Sequence, residues 1–409
     1  MKKVLLSVAL ITGAFSLSFA QQRTVRDAKR AASGSNPDFA KAEQLIGEAL
    51  QNPETSEDAA TWDVAGFIQK SYIEEEQKKQ YLKKPYDTVA VYNSVSKLLD
   101  YYAKCDEIAE LPDSKGRVRN RYRKANSATV MMFRPELING GVHYFNNNEN
   151  KEALNFFMKY LESATHPMLA DQNLTETDEN FPTIAYYATL AGMRLEDYEA
   201  ITKVAPYAVN DSEEGMQALE LLSHAYKMLE DDEKFLETLQ TGMEKFPDHL
   251  FFFGNVIDFY VNKEDLDAAF AIADKKVGEN PDNSYYVYVK GFILHHKKEY
   301  NDAADCFIRA IELDPENAEA YSNLGLAYSI QAQEILDAVP VDLDIQDPDF
   351  IKANEQAVEL YKKALPNYEK ARELKPDEKN LWLQGLYLIY YKLGMEELEE
   401  VEAILQGEQ

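Results

Sequence analysis

The chain has 409 residues, of which 71 are Asp or Glu and 43 are Lys or Arg, a formal net charge of −28. Such a chain is repelled by phosphate backbones and anionic lipid heads, which excludes nucleic acid as a natural partner. Single cores stop growing near about 250–300 residues, so this length implies several domains or an extended stack; with 45% hydrophobic residues the chain is no disordered polyanion.

At the front, Met1-Lys2-Lys3 precedes an apolar stretch from Val4 to Phe15, and Ser18-Phe19-Ala20 places small residues three and one before a cut. This predicts a signal peptide over 1–20, cleaved after Ala20, and an exported protein that is soluble and periplasmic in a Gram-negative source. The stretch is too short to span a bilayer, and no later one is long enough, so no direct membrane insertion is expected. Loss of Lys2 and Lys3 with the leader takes the net charge to −30.

Residues 21–130 read as an N-terminal helical region of divergent repeats. Ala42, Ile46 and Ala49 form one helical stripe, and Trp62-x-x-Ala65-Gly66 opens another helix. Over 71–130 helices are expected without a clear register. Within that stretch, Asp87 is a good helix cap, and Asp87-Thr88-Val89 also fits an O-glycosylation pattern. Residues 111–124 form a basic strip, with Lys115, Arg117, Arg119, Arg121 and Arg123 among its six positive charges and Asp113 its one acid. It suits either an anion or acidic partner, or internal pairing that latches the N-terminal helices in place. Cys105 and Cys306 stand 201 residues apart in predicted helices and are expected as buried free thiols.

From 131 onward the sequence is periodic. Pro247, Pro281 and Pro315 stand 34 residues apart; Tyr226, Tyr260, Leu294 and Tyr328 keep the same step, as do Gly291 and Gly325. Val287, Gly291 and Leu294 share one helical face, with Gly291 small enough for close approach of a second helix. Asn301 and Asp302 are expected to cap that second helix, whose buried stripe is Ala303, Phe307 and Ala310, and Pro315 stops it. Fainter copies run through Leu137, Gly141, Tyr144, Ala153 and Phe157, through Ile184, Ala188, Ala200 and Val204, and through Leu222 and Tyr226. In one copy Ala364, Tyr368, Ala371 and Pro376 follow late: Pro376 lies 61 residues after Pro315, an insertion of 27 placed around 331–357 that lengthens both helices about a loop near Val339 to Pro348.

These offsets resemble the tetratricopeptide repeat, W-x2-L-G-x2-Y followed by A-x3-F, A and P. The resemblance implies an all-α fold, a right-handed α-solenoid of stacked helix-turn-helix hairpins, with roughly nine units over 23–400. The expected organisation is a solenoid core over 131–378 and a polar capping repeat over 379–409, ending in Glu396, Glu397, Glu399 and Glu400.

In that family, first helices line a concave groove that binds peptides or helices. Carried over by position, the groove would hold Tyr285, Tyr288, Phe292, His295 and His296. Gln217, Glu220, His224 and Lys227 would precede them, with Phe251, Asp258 and Asn262 between, and Tyr387, Tyr390 and Tyr391 at the end. Large rigid aromatics with polar tips suit protein recognition. The family's clamp for a peptide C-terminus has little counterpart, since only Lys227 among these positions is basic.

Nothing points to catalysis, a cofactor or a metal. Six His and two Cys leave little to bind one. His295 and His296 are adjacent and point apart on a helix. Asp342, Asp344, Asp347 and Asp349 lack the turn glycine of a calcium loop, and Asp347-Pro348 reads as a cap. Phosphate-loop, zincin and nucleophile-elbow motifs are missing. The expected function is a non-enzymatic interaction scaffold of the cell envelope that holds a protein or peptide partner in the groove. The alternative is a glycan or peptidoglycan-fragment module using the same aromatics.

Overall fold

The structure is a computed structural model that describes residues 22–113, 115–340 and 343–407. The expected leader over 1–20 and its cleavage site lie outside the described residues, as does Asp342. No strand occurs among the described residues. The chain divides into two compact units after Pro247, a boundary the repeat pattern does not announce.

The first unit runs through α1 (22–31), α2 (Phe39–Gln51), α3 (Pro53–Ser56), α4 (Ala59–Tyr81), α5 (Thr88–Ala109), α6 (Arg123–Phe133), α7 (Pro135–Asn146), α8 (Asn150–Thr165), α9 (Leu174–Thr177), α10 (Phe181–Leu195), α11 (Tyr198–Ala208), α12 (Gly215–Met228) and α13 (Asp232–Lys245). The second unit continues with α14 (Leu250–Asn262), α15 (Leu266–Glu279), α16 (Ser284–His296), α17 (Tyr300–Leu313), α18 (Ala318–Asp337), α19 (Pro348–Leu374), α20 (Leu383–Leu393) and α21 (Leu398–Gln406). Each unit is an all-α stack of helical hairpins: α4/α5, α7/α8, α10/α11 and α12/α13 in the first, then α14/α15, α16/α17, α18/α19 and α20/α21 in the second.

The hairpin α16/α17 shows why this sequence folds so. Asn283 caps α16 by accepting from the amides of Tyr285 and Tyr286. The helix then meets α17 at Gly291, where an added Cβ would lie 2.9 Å from the Phe307 ring. Phe307, Ala303 and Ala310 are fully buried, and α17 ends at Leu313, one residue before Asp314-Pro315. One expectation is corrected: Glu299 stands at the N-cap without a side-chain bond, and α17 begins at Tyr300. Asn301 and Asp302 lie inside the first turn, where the Asp302 carboxylate still meets the positive end of the helix dipole.

The turns inside the hairpins carry a second periodic mark. Glu196, Glu230, Glu264 and Lys298 stand 34 residues apart and occupy the left-handed region, with φ of 55°, 57°, 58° and 64°. The residue after each opens the second helix, and Asp197, Asp231 and Asp265 cap theirs through the side chain. None of the four is glycine, so each turn carries backbone strain.

Two hairpins are stretched. In α18/α19, Gly325 meets Tyr368 43 residues later, 27 more than the 16 from Gly291 to Phe307. The extra residues lengthen both helices, to 20 and 27 residues, and Asp347 caps α19 by accepting from Asp349 N at 2.9 Å. The region left without register at 71–130 contains the other. Gly66 on α4 faces Tyr102 on α5, 36 residues later, and an added Cβ at Gly66 would lie 2.2 Å from that ring. Leu98, Tyr102 and Cys105, all buried, stand where Ala303, Phe307 and Ala310 stand in α16/α17. Thus α4/α5 is a repeat with 20 added residues, its tip running through exposed Tyr81, Leu82 and Tyr86. Asp87 caps α5 through the amide of Ala90, with Thr88 at the first helical position.

Both cysteines are free thiols; Cys105 is buried, whereas Cys306 is only half-buried. Burial pushes the Cys105 thiol up to about 12, which keeps it protonated.

Candidate functional site

The candidate face lies on the first helices of the second unit. On α16 the stripe Tyr285, Tyr288, Phe292, His295 and His296 follows spacings of three, four, three and one, and every member keeps some exposure. Two of them are also struts. The Tyr285 phenol rests against α14, its oxygen 3.0 Å from where a Gly254 Cβ would sit, and its ring meets Phe253 at 6.0 Å. Asn323 on α18 donates to the Tyr288 hydroxyl at 3.1 Å. Burial, and then the nearby Glu319 carboxylate, pushes Tyr288 up to about 12.

Of the remaining members His296 is exposed, while Phe292 and His295 are half-buried. Phe292 packs edge-on against the exposed His296 at 4.4 Å. His295 turns toward Tyr300 at 5.3 Å, and its Nδ1 is buried with no hydrogen-bond partner among the described residues. Burial first, and His296 second, hold His295 below the usual imidazole range, so the ring stays neutral near pH 7. On α14, Phe251 is exposed and stacks on His249 at 6.1 Å, and Asp258 and Asn262 are also exposed.

At α20 the three tyrosines part company. Tyr391 is 63% exposed and Tyr387 lies open at the surface, but Tyr390 is only 3% exposed. Tyr390 packs in the C-terminal core with Leu386 and Val401, its hydroxyl 3.5 Å from Glu369. It is therefore removed from the face, because its position on α20 looks toward α19 instead of solvent. The earlier candidates belong to the first unit: His224 is exposed beside Tyr198 at 5.8 Å, Gln217 accepts from Tyr186 at 2.5 Å, and Lys227 lies 6.0 Å from the Phe235 ring.

The basic strip sorts into paired and unpaired cations. Arg123 clasps the buried Asp106 through Nε at 2.8 Å and Nη2 at 2.7 Å, and reaches Glu110 at 3.0 Å. Asn120 donates to the same carboxylate at 2.6 Å, so the start of α6 is latched to the end of α5. Arg117 pairs with Asp113 at 2.8 Å, whose carboxyl it holds below the usual range. Arg121 donates to the Tyr122 hydroxyl at 2.7 Å. Lys115 and Arg119 are exposed and make no ion pair among the described residues.

Sequence reasoning missed the clasp at Arg134. This buried guanidinium donates to Asp178, to Ser163 Oγ at 2.8 Å and to the Tyr160 carbonyl at 3.1 Å, and lies 3.6 Å over the Tyr160 ring. Burial alone would raise the Asp178 carboxyl, but the bonds from Tyr160 and Arg134 hold it below the usual range. The clasp fastens the irregular segment between α8 and α10, and an arginine next to Pro135 gives no sequence sign of it. No group of three His, Cys, Asp or Glu is placed to hold a metal among the described residues. Nor is any described helix long and apolar enough to cross a membrane.

Residues 291–331 match the family model of the tetratricopeptide repeat. Among solved structures, a TPR repeats protein (BF2334) from Bacteroides fragilis NCTC 9343 is 15% identical, over 63% of this chain and 97% of that one, at a TM-score of 0.35. MamA 41-end from Desulfovibrio magneticus RS-1 is 14% identical, over 49% of this chain and 97% of that one, at 0.32. No curated protein matches the sequence.

Proposed function

We propose, from the tetratricopeptide-repeat match over residues 291–331 and a family whose members in general bind proteins and are not enzymes, that this chain is an exported, non-enzymatic scaffold of the cell envelope. It holds a protein or peptide partner on the first-helix face of its second unit. The observation that carries this reading is the exposed aromatic set Phe251, Tyr387 and Tyr391, with the half-buried Phe292 and the exposed His296 beside it, on three first helices of that unit. Rigid rings with little rotamer entropy to lose are the side chains that anchor interfaces.

The test replaces Phe292, Tyr387 and Tyr391 with Ala and compares partners recovered from envelope extracts by crosslinking. Loss of a wild-type partner is the expected result, and an unchanged set removes the face from consideration. Stabilisation of the wild type by oligosaccharides, abolished in the same variant, would instead favour the glycan reading. Export is checked separately: the mature protein should begin at Gln21 and be found outside the cytoplasm.

A further inference from the structure

The first unit carries a trough along its second helices, on residues distinct from the aromatic face. Two neighbouring cavities of about 460 and 120 Å³ follow one another along α5 and α8, and a third of about 310 Å³ lies between α5 and the helices α2 and α4. The two along α8 share Lys159 and Glu162, and the third shares Asn93 with the larger of them. Opposite α8 the α5 wall runs from Asn93 to Ala103, about 15 Å at ~1.5 Å per residue. Facing it on α8, Glu152, Asn155, Lys159 and Glu162 follow spacings of three, four and three, one continuous helical edge.

The charges of this trough are unequally satisfied. Lys97 pairs with Glu43 at 3.8 Å. Lys159 pairs with Asp100 at 2.7 Å and donates to Ser96 Oγ at 2.7 Å. Both lysines are thereby neutralised. Glu152 and Glu162 are exposed and have no cation within ion-pair reach among the described residues, and the exposed Asn155 amide has no hydrogen-bond partner there. The trough therefore presents two spare carboxylates with an amide between them.

Their separation selects the ligand. Ten residues of α8 set the two carboxylates about 15 Å apart, and an extended strand covers ~13 Å in four residues with both side chains on one edge. Asn155, between them, offers the donor and acceptor that a peptide unit needs. Past Glu162, the cavity of about 120 Å³ is floored by Leu99, Val130 and Leu169. A dry cavity of ~150 Å³ admits a benzene, so this one takes one apolar side chain.

We propose that this trough binds an extended, basic peptide segment of a partner protein, with two Lys or Arg residues four apart and an apolar residue just beyond the second. Glu152 and Glu162 receive the cations, Asn155 the backbone, and the small cavity the apolar side chain. The site is independent of the α16 face, so either can fail without the other.

The experiment uses the full mature chain and a panel of fluorescent acetylated peptides carrying two lysines spaced three, four, five or six residues apart, with leucine two residues past the second lysine. The expected result is tightest binding at a spacing of four, weakened as salt rises, and about tenfold weaker for Glu152→Gln/Glu162→Gln. Both substitutions are on exposed positions, and an unchanged thermal midpoint confirms the fold. The variant Phe292→Ala/Tyr387→Ala should bind the peptide as the wild type does. Absence of binding across the panel, equal affinity of the Glu→Gln variant, or loss of binding only in the Phe292/Tyr387 variant each overturns the proposal. So does displacement of the peptide by neutral oligosaccharides, which would make the trough a glycan site.

Discussion

Arg134 and Asp178 show how much one side chain can hold in place. Arg134 is buried and the Asp178 side chain nearly so, and Tyr160, Ser163 and a backbone carbonyl complete the hydrogen bonds of the pair. Removing one partner of such a pair strands the other in low dielectric, which costs on the order of 3–5 kcal/mol. Arg134→Met should therefore lower the urea midpoint strongly, whereas Arg117→Met, which breaks an exposed pair, should move it little. Near-equal effects would show that the clasp is solvated. The same geometry sets a pH dependence. Because the folded Asp178 carboxyl titrates below its unfolded value, its stabilisation is present above about pH 4 and is lost as pH falls through the folded pKa. Asp178→Asn should flatten the acid limb of the stability curve.

At the scale of the element, the hairpin turn and the glycine–aromatic contact do different work. The turn residue at φ near 60° costs an L-amino acid about 1 kcal/mol. Glu264→Gly relieves this, less the entropy that glycine adds to the unfolded chain. We expect a gain of up to about 1 kcal/mol in chemical denaturation, and a loss would show that the Glu264 side chain makes a compensating contact. The first and second helices were legible because Gly291, Phe307 and Pro315 recur at fixed steps. The turns were legible too, as acidic pairs such as Glu230-Asp231 and Glu264-Asp265, but polar turn residues draw less attention than a proline. For α4/α5 the signal was present in Gly66 and, within 71–130, in Leu98, Tyr102 and Cys105, yet 20 added residues carried it out of phase with the 34-residue step. Tyr390 was misread for another reason: a position transferred from the repeat does not reveal which of two neighbouring helices the C-terminal cap packs against.

At the scale of the whole molecule, each unit has apolar clusters of its own. Separate apolar clusters occupy the first unit, around Leu98 to Leu161 and around Ala28 to Ile68, and the second, around Tyr361 to Leu386. Stacked repeats are stabilised by neighbours, not by one shared core, so cooperativity need not extend from end to end. The chain has two Trp, and each reports one unit. Trp62 donates to the Ser56 carbonyl at 2.6 Å, and Trp382 donates to that of Lys375 at 3.2 Å under the Arg372 guanidinium. Trp62→Phe and Trp382→Phe, followed by fluorescence in urea, should give different midpoints; coincident transitions would mean that the two units unfold as one. The division after Pro247 could not be read beforehand, since Pro247 holds the same place in its repeat as Pro281 and Pro315, which lie inside the second unit. The stretched hairpins show where such a chain can grow. Their glycine–ring contacts fix the base of each pair, while the far ends, at Lys84-Pro85 and near Gln346, touch little else and have already absorbed extra sequence. Those two ends are the natural grafting points for an epitope or a fluorophore, handles by which the protein could be followed in its native setting without altering the residues of either proposed surface.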